Sequence, residues 1–151
     1  MGNKREKIHA VIDNLRRLFQ TINDYSKSAG KIMGLTGPQL WAIKLLANDA
    51  PLRVSDLARR MFHHPATAVG ILNRLETRGL VTRIRSKEDR RVVDVELTPL
   101  GKEVVANAPE VAQVMLVKGL GALSDEELSS VTKGIEMVAR IVGADRVYGR
   151  L

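Results

Sequence analysis

The sequence predicts a mainly α fold that carries one small β-hairpin. Three observations predict it. Apolar residues recur at steps of three and four through most of the chain. Most of these runs open at a capping residue or a proline. Only between Leu80 and Leu97 do two stretches alternate instead, as strands do.

The first helix carries Ile8, Val11, Ile12, Leu15, Leu18, Phe19, Ile22 and Tyr25 as one broad apolar stripe, with a stop at Gly30. A second helix starts at Thr36, because Thr36-Gly37-Pro38-Gln39 reads as a capping box: Thr caps, and Gln reaches back. Asn48-Asp49-Ala50-Pro51 ends it. Ser55-Asp56 opens a short third helix with Leu57, Ala58 and Met61 turned inward, and Phe62-His63-His64 is a turn. Pro65 then takes a first helical position, where its missing N–H costs nothing, and the fourth helix runs to about Arg78 before Gly79. Residues 80–85 and 92–97 are the two strands, and Ser86-Lys87-Glu88-Asp89-Arg90-Arg91 is a charged hairpin tip. Thr98-Pro99 starts a fifth helix, which Pro109 should kink. Ser124-Asp125-Glu126-Glu127 is a second capping box and opens a sixth.

Two helices joined by a short turn make a helix-turn-helix, and a hairpin directly after the second is a wing. The expected architecture is thus a winged helix-turn-helix lobe plus a helical lobe. The 151 residues suffice for one such unit.

Charge agrees with that architecture. The net charge is +7, and residues 52–91 hold ten bases against four acids, or +6. A patch of this kind is the electrostatic footprint of double-stranded DNA binding. The chain has no cysteine, so disulfides, thiolate metal sites and cysteine redox sensing are excluded. No apolar stretch suits a signal peptide or a membrane span, so the expected location is cytoplasmic, with no membrane partner.

Periodicity divides the fourth helix into two faces. Ala68, Ile71, Leu72 and Leu75 should face the core, and Ala66, Gly70, Asn73 and Thr77 lie opposite, flanked by Thr67, Val69 and Arg74. A helix entering the major groove needs such small residues for close approach and a few groups that reach base edges. Asn73 suits an adenine, Arg74 a guanine or a phosphate, and Thr67 or Val69 a thymine methyl. Gly70 reads equally as a packing site. The wing adds Arg83, Arg85, Lys87, Arg90 and Arg91, and arginine fits the electronegative minor groove. Asp89 stands two residues before Arg91 and can aim its guanidinium by a bidentate pair. Ser55, at the start of the third helix, completes the expected DNA-facing set.

The run from Asp89 to Gly101 (DRRVVDVELTPLG) resembles the wing-to-helix signature of MarR-family regulators. Residues 35–40 (LTGPQL) and 70–81 (GILNRLETRGLV) resemble that family's second-helix start and its recognition helix and exit. These lie in the expected order, and the resemblance covers nearly the whole chain. The resemblance implies a homodimer in which helices from 5–35 and 98–151 interlock between subunits, while residues 36–97 form the DNA-binding lobe. It also implies a palindromic operator, repression, and release by a small effector. The expected effector crevice is lined by Ile12, Phe19, Trp41, Leu45 and Met115, mostly apolar, and so suited to a small aromatic or hydrophobic molecule. Two features depart from the family pattern: Val69 stands where many members carry a hydroxyl, and cysteine is absent.

Three other readings compete. An enzyme finds no support, since only His9, His63 and His64 supply imidazoles and no nucleophile–base set or phosphate-cradling loop is present. No cofactor is expected. An architectural protein that binds DNA without sequence preference conflicts with the small, patterned reading face. A metal sensor built on His63 and His64 lacks an acidic cluster beside them.

Overall fold

In a computed structural model that describes residues 3–144, seven helices and three short strands succeed one another in two lobes. The helices are α1 (Lys4–Gly30), α2 (Gly37–Asp49), α3 (Val54–Arg60), α4 (Pro65–Thr77), α5 (Pro99–Ala106), α6 (Ala112–Gly121) and α7 (Asp125–Ile141). The strands are β1 (Leu52–Arg53), β2 (Val81–Arg85) and β3 (Val93–Leu97), antiparallel in the order β1-β3-β2.

The expected caps form. Thr36 Oγ1 accepts from Gln39 N at 3.3 Å while Gln39 Oε1 accepts from Thr36 N at 3.1 Å, so two orphan donors of α2 are satisfied reciprocally. Ser124 and Glu127 do the same for α7 at 3.2 and 2.9 Å. A third box, Asn3 with Glu6, opens α1.

Two elements differ from the sequence reading. The fifth helix does not kink at Pro109 but breaks, leaving α5 and α6 as separate helices with residues 107–111 between them. Pro109 supplies no N–H and disfavours helical geometry at Ala108, so both positions resist continuation. Asn107 closes α5 by donating its side-chain amide to the Glu103 carbonyl at 3.0 Å. The second difference is β1, which places Leu52 opposite Val95 and Arg53 opposite Asp94. It pulls the start of α3 forward to Val54, with Ser55 inside the first turn.

The core lies in the winged lobe. Leu35, Leu40, Ile43 and Leu46 of the α2 region meet Leu57, Met61, Leu72, Leu75, Leu80 and Val95, all fully buried. The lobe is joined to α5 by close backbone contact. Thr98 N donates to the Leu80 carbonyl at 3.1 Å, and Thr98 Oγ1 donates to the Gly79 carbonyl at 2.5 Å. A Cβ at Gly101 would stand 2.1 Å from the Leu80 carbonyl oxygen, so only glycine fits there. Gly79 itself takes a left-handed φ of +71°, as the exit from α4 requires.

The helical lobe is different in kind. Among the described residues α7 has none that is buried, although Leu128, Val131, Ile135 (55 % exposed) and Ile141 (83 % exposed) all lie on it. α1 likewise leaves Ile8, Val11, Ile12, Leu18 and Phe19 exposed.

Candidate nucleic-acid interface

α3 and α4 are joined by Met61–His64, and α4 carries the face expected to meet DNA. Ala68, Leu72 and Leu75 are fully buried and Ile71 partly so, which turns Ala66, Thr67, Val69, Gly70, Asn73, Arg74 and Thr77 outward, all exposed. Gly70 has no packing role in the chain, because a Cβ built there meets nothing within 4 Å. Ser55, in the first turn of α3, is exposed as well.

The two histidines have local partners. His64 caps α4, its Nδ1 accepting from Ala66 N at 3.2 Å. His63 packs edge-on against Trp41, with ring centroids 6.4 Å apart.

The wing tip is ordered by its own side chains. Ser86 Oγ accepts from the N–H groups of Glu88 and Asp89 at 3.3 and 3.5 Å. Asp89 takes Arg91 as a bidentate partner: Arg91 Nε donates to Oδ1 at 3.2 Å and Nη2 to Oδ2 at 3.3 Å. The Arg91 backbone N–H adds a third bond to Oδ1 at 3.0 Å. The guanidinium hydrogen bonds, then this N–H, hold the Asp89 carboxyl below its ordinary range, with the nearby Arg53 charge acting in the same direction. Arg91 remains 91 % exposed, so its fork is fixed at one side and free at the other. Arg85, Lys87 and Arg90 are exposed around it.

Arg83 is placed otherwise. Expected at the DNA surface of the wing, it folds back onto α4, where Nη1 donates to Glu76 Oε1 at 3.0 Å and Nη2 to Asn73 Oδ1 at 2.7 Å. One lone pair of the Asn73 amide oxygen is therefore engaged within the protein. The alternation of β2 sends Arg83 and Arg85 to one side of the strand, but nothing in that pattern says that α4 stands within reach of Arg83 alone.

A residue absent from the expected set also joins this surface. Arg78 donates from Nη1 to the Met33 carbonyl and, with Gly34, Thr36, Gln39, Asn73, Arg74 and Thr77, lines a cleft of 320 Å³ between the start of α2 and the end of α4. Its place beside the helix stop Gly79 hid this role; its charge was the only available signal.

A second cavity, of 380 Å³, opens between α2 and the α5–α6 segment. Trp41 and Leu45 line it, as expected, together with Lys44, Val105, Glu110, Val114, Val117 and Lys118. Ile12, Phe19 and Met115 do not. Ile12 and Phe19 lie on the exposed stripe of α1, and Met115 is turned away, its Sδ accepting from the Tyr25 hydroxyl at 2.7 Å. The break at Pro109 separates α6 from α5, so the helical phase of one does not carry into the other. Lys44 Nζ pairs with Glu110 at 3.3 Å. Burial opposes ionisation of Glu110, yet Lys44, the Val111 N–H and Lys118 outweigh it and lower its pKa.

Among the described residues no helix is long and apolar enough to cross a membrane.

The MarR family model matches residues 33–92, from the loop before α2 to the hairpin tip just before β3. An uncharacterized HTH-type transcriptional regulator, YfiV of Bacillus subtilis, is 36 % identical over 108 residues, which cover 72 % of this chain and 68 % of that protein. The HTH-type transcriptional repressor MdtR of Bacillus subtilis is 31 % identical over 119 residues, covering 76 % and 74 %. Among solved structures, Streptococcus pneumoniae FabT, crystallised in complex with DNA, has the same fold at a TM-score of 0.61 and 20 % identity, covering 91 % of this chain and 98 % of that one. Fold, wing and sequence agree, and the chain belongs to the MarR family of DNA-binding transcriptional regulators.

Proposed function

We propose that this regulator is a sequence-specific repressor that binds a palindromic operator as a homodimer and is released by a small aromatic or hydrophobic effector. The observation that carries the reading is the face of α4. It is exposed, small at Gly70, and flanked by a wing whose Arg91 is already aimed by Asp89. Thr67, Val69, Gly70, Asn73 and Arg74 would read bases, while Ser55, Arg85, Lys87, Arg90 and Arg91 would hold phosphates or enter the minor groove. That MdtR is named a repressor and FabT is crystallised with DNA supports the same direction.

Dimerisation follows from the uncovered stripes of α1 and α7. Exposed apolar surface of this extent marks an interface, and a two-fold dimer matches a palindrome. The effector reading rests on the cavity beside Trp41, apolar at Leu45, Val105, Val114 and Val117 and charged at Lys44, Arg60, Lys118 and Glu110, with bases in excess. That lining suits a flat molecule with one acidic group.

Selection from random DNA tests the core of the proposal. Enrichment of inverted half-sites about one helical turn apart is the expected result. Enrichment of no sequence would leave a non-specific architectural role instead. Aromatic carboxylates titrated against the operator complex should quench Trp41 and release DNA together. Quenching without release would refute the effector role.

A further inference from the structure

We propose that Arg83 is a positioning residue that fixes which way round Asn73 is read, so that the base opposite Asn73 is guanine rather than adenine. The inference rests on the DNA-reading role proposed above for the exposed face of α4.

The argument starts from the inventory of donors. A guanidinium has N–H groups and no acceptor, so the atom of Asn73 that faces it must be the amide oxygen. The contact is short, 2.7 Å from Arg83 Nη2 to Asn73 Oδ1. The orientation of this amide is thereby settled by chemistry: Oδ1 points toward the wing strand, and Nδ2 points away from Arg83. Glu76 holds the other arm of the same guanidinium at 3.0 Å, so the cation is fixed from two sides. Arg83 is only 29 % exposed at its side chain, while Asn73 stands in the open on the outward face of α4.

This arrangement changes what Asn73 can recognise. An asparagine that pairs with adenine accepts from N6–H and donates to N7, and needs both of its amide atoms. Here Arg83 takes one of the two lone pairs of the oxygen, and its fixed positive charge repels an amino group brought to the other. What remains is a two-proton donor. Guanine offers two acceptors in the major groove, O6 and N7, with no donor beside them. Arg83 thus acts on sequence preference without touching DNA, and the wing strand and the reading helix are joined into one recognition unit.

The experiment is selection from randomised DNA with four proteins: the wild type, Asn73→Ala, Arg83→Met and Arg83→Lys. Thermal melts establish that each is folded. The base pair that loses its preference in Asn73→Ala is the one Asn73 reads, and the wild type should prefer guanine there. Arg83→Met frees the oxygen and should move that position toward adenine, by about 5- to 150-fold in relative affinity, the worth of one bidentate pair. Arg83→Lys still donates to Oδ1 and should keep guanine, which supplies the comparison if the Met variant does not fold. A wild-type preference for adenine at that position overturns the proposal. So does an Arg83→Met protein that binds every sequence more weakly with its preferences unchanged, the signature of a merely structural contact. An Asn73→Ala protein with every preference intact shows that Asn73 meets no base, and overturns the proposal while leaving the repressor reading in place. A wild type that enriches no sequence removes both.

Discussion

Gly70→Ala should raise the stability of the protein and weaken its grip on DNA. Gly70 lies inside α4, in ordinary helical backbone, and an added methyl meets nothing within 4 Å. Glycine inside a helix costs about 0.5–1 kcal/mol relative to alanine, because its unfolded backbone is freer. With no clash to offset it, that gain should appear in full. For a domain of this size it corresponds to roughly 1–4 °C in melting temperature. On the operator the same methyl enters a close-packed groove contact, where overpacking costs about 1–3 kcal/mol. The expected loss is about 5- to 150-fold in affinity. A circular-dichroism melt measures the first effect. Fluorescence anisotropy on a labelled selected operator, at fixed salt, measures the second. An Ala variant that binds as tightly as the wild type refutes the close approach of α4. One that melts lower refutes the open environment assigned to Gly70.

The same substitution at Gly101 should do the opposite. A Cβ 2.1 Å from the Leu80 carbonyl must push backbone aside, so Gly101→Ala should lower stability by about 1–2 kcal/mol after the helix-propensity gain is subtracted; a melt at or above wild type contradicts it. For the wing, the carboxyl of Asp89 titrates below its ordinary range in the folded protein. Whatever the pair with Arg91 contributes is therefore fully present above about pH 4 and lost as pH falls through the lowered value. Operator affinity should show no step from this pair between about pH 5 and 8, and a step there that disappears in Asp89→Asn would count against the ion pair as drawn. Arg91→Ala should flatten the salt dependence by about one unit of log–log slope if the lost contact is to phosphate; an unchanged slope rules that contact out. Phe19→Glu, on the uncovered stripe of α1 (62 % exposed), should yield folded monomers in sedimentation at micromolar concentration. Dimers of unaltered strength would place the interface elsewhere.

What the sequence reveals here is whatever is encoded within a few residues. The boxes at Thr36–Gln39 and Ser124–Glu127 are legible because donor and acceptor lie three positions apart on one helix turn. The Asp89–Arg91 pair is legible for the same reason, its partners standing two positions apart. The division of α4 into a buried and an open face follows from its period alone. The Asn3–Glu6 box at the start of α1 is equally local but is embedded in a run of charged residues, ahead of the apolar stripe. β1 is another matter. Two residues cannot show an alternating pattern, and Leu52 becomes a strand residue only because β3 runs beside it. Arg83 fails in the same manner, since its partners Asn73 and Glu76 are ten and seven positions away on another element. The effector lining required the rotation of α6 relative to α2. A helix break of five residues erases the phase that would have predicted it.

That break also decides how a ligand in the cavity could reach the DNA. The start of α5 is not a joint. Thr98 binds the carbonyls of both Gly79 and Leu80, and Gly101 seats its backbone against Leu80, so the exit of α4 and the first turn of α5 are tied together. Residues 107–111 are the contrast: they lie outside any helix, and Val105, Glu110 and Val114 on or beside them line the cavity with Trp41. A ligand there would press on the segment between the winged lobe, which ends with α5, and the uncovered apolar surface of α6. It need not distort α4 at all. An effector acts only through its different affinities for two arrangements, and a tenfold change in operator affinity takes about 1.4 kcal/mol of coupling. The Lys44–Glu110 pair, which spans the cavity mouth from α2 to this segment, is one contact whose making or breaking could distinguish the two. On the proposed effector reading, control would act through the spacing of whole reading units, while the Asn73–Glu76–Arg83 contacts keep each unit internally fixed.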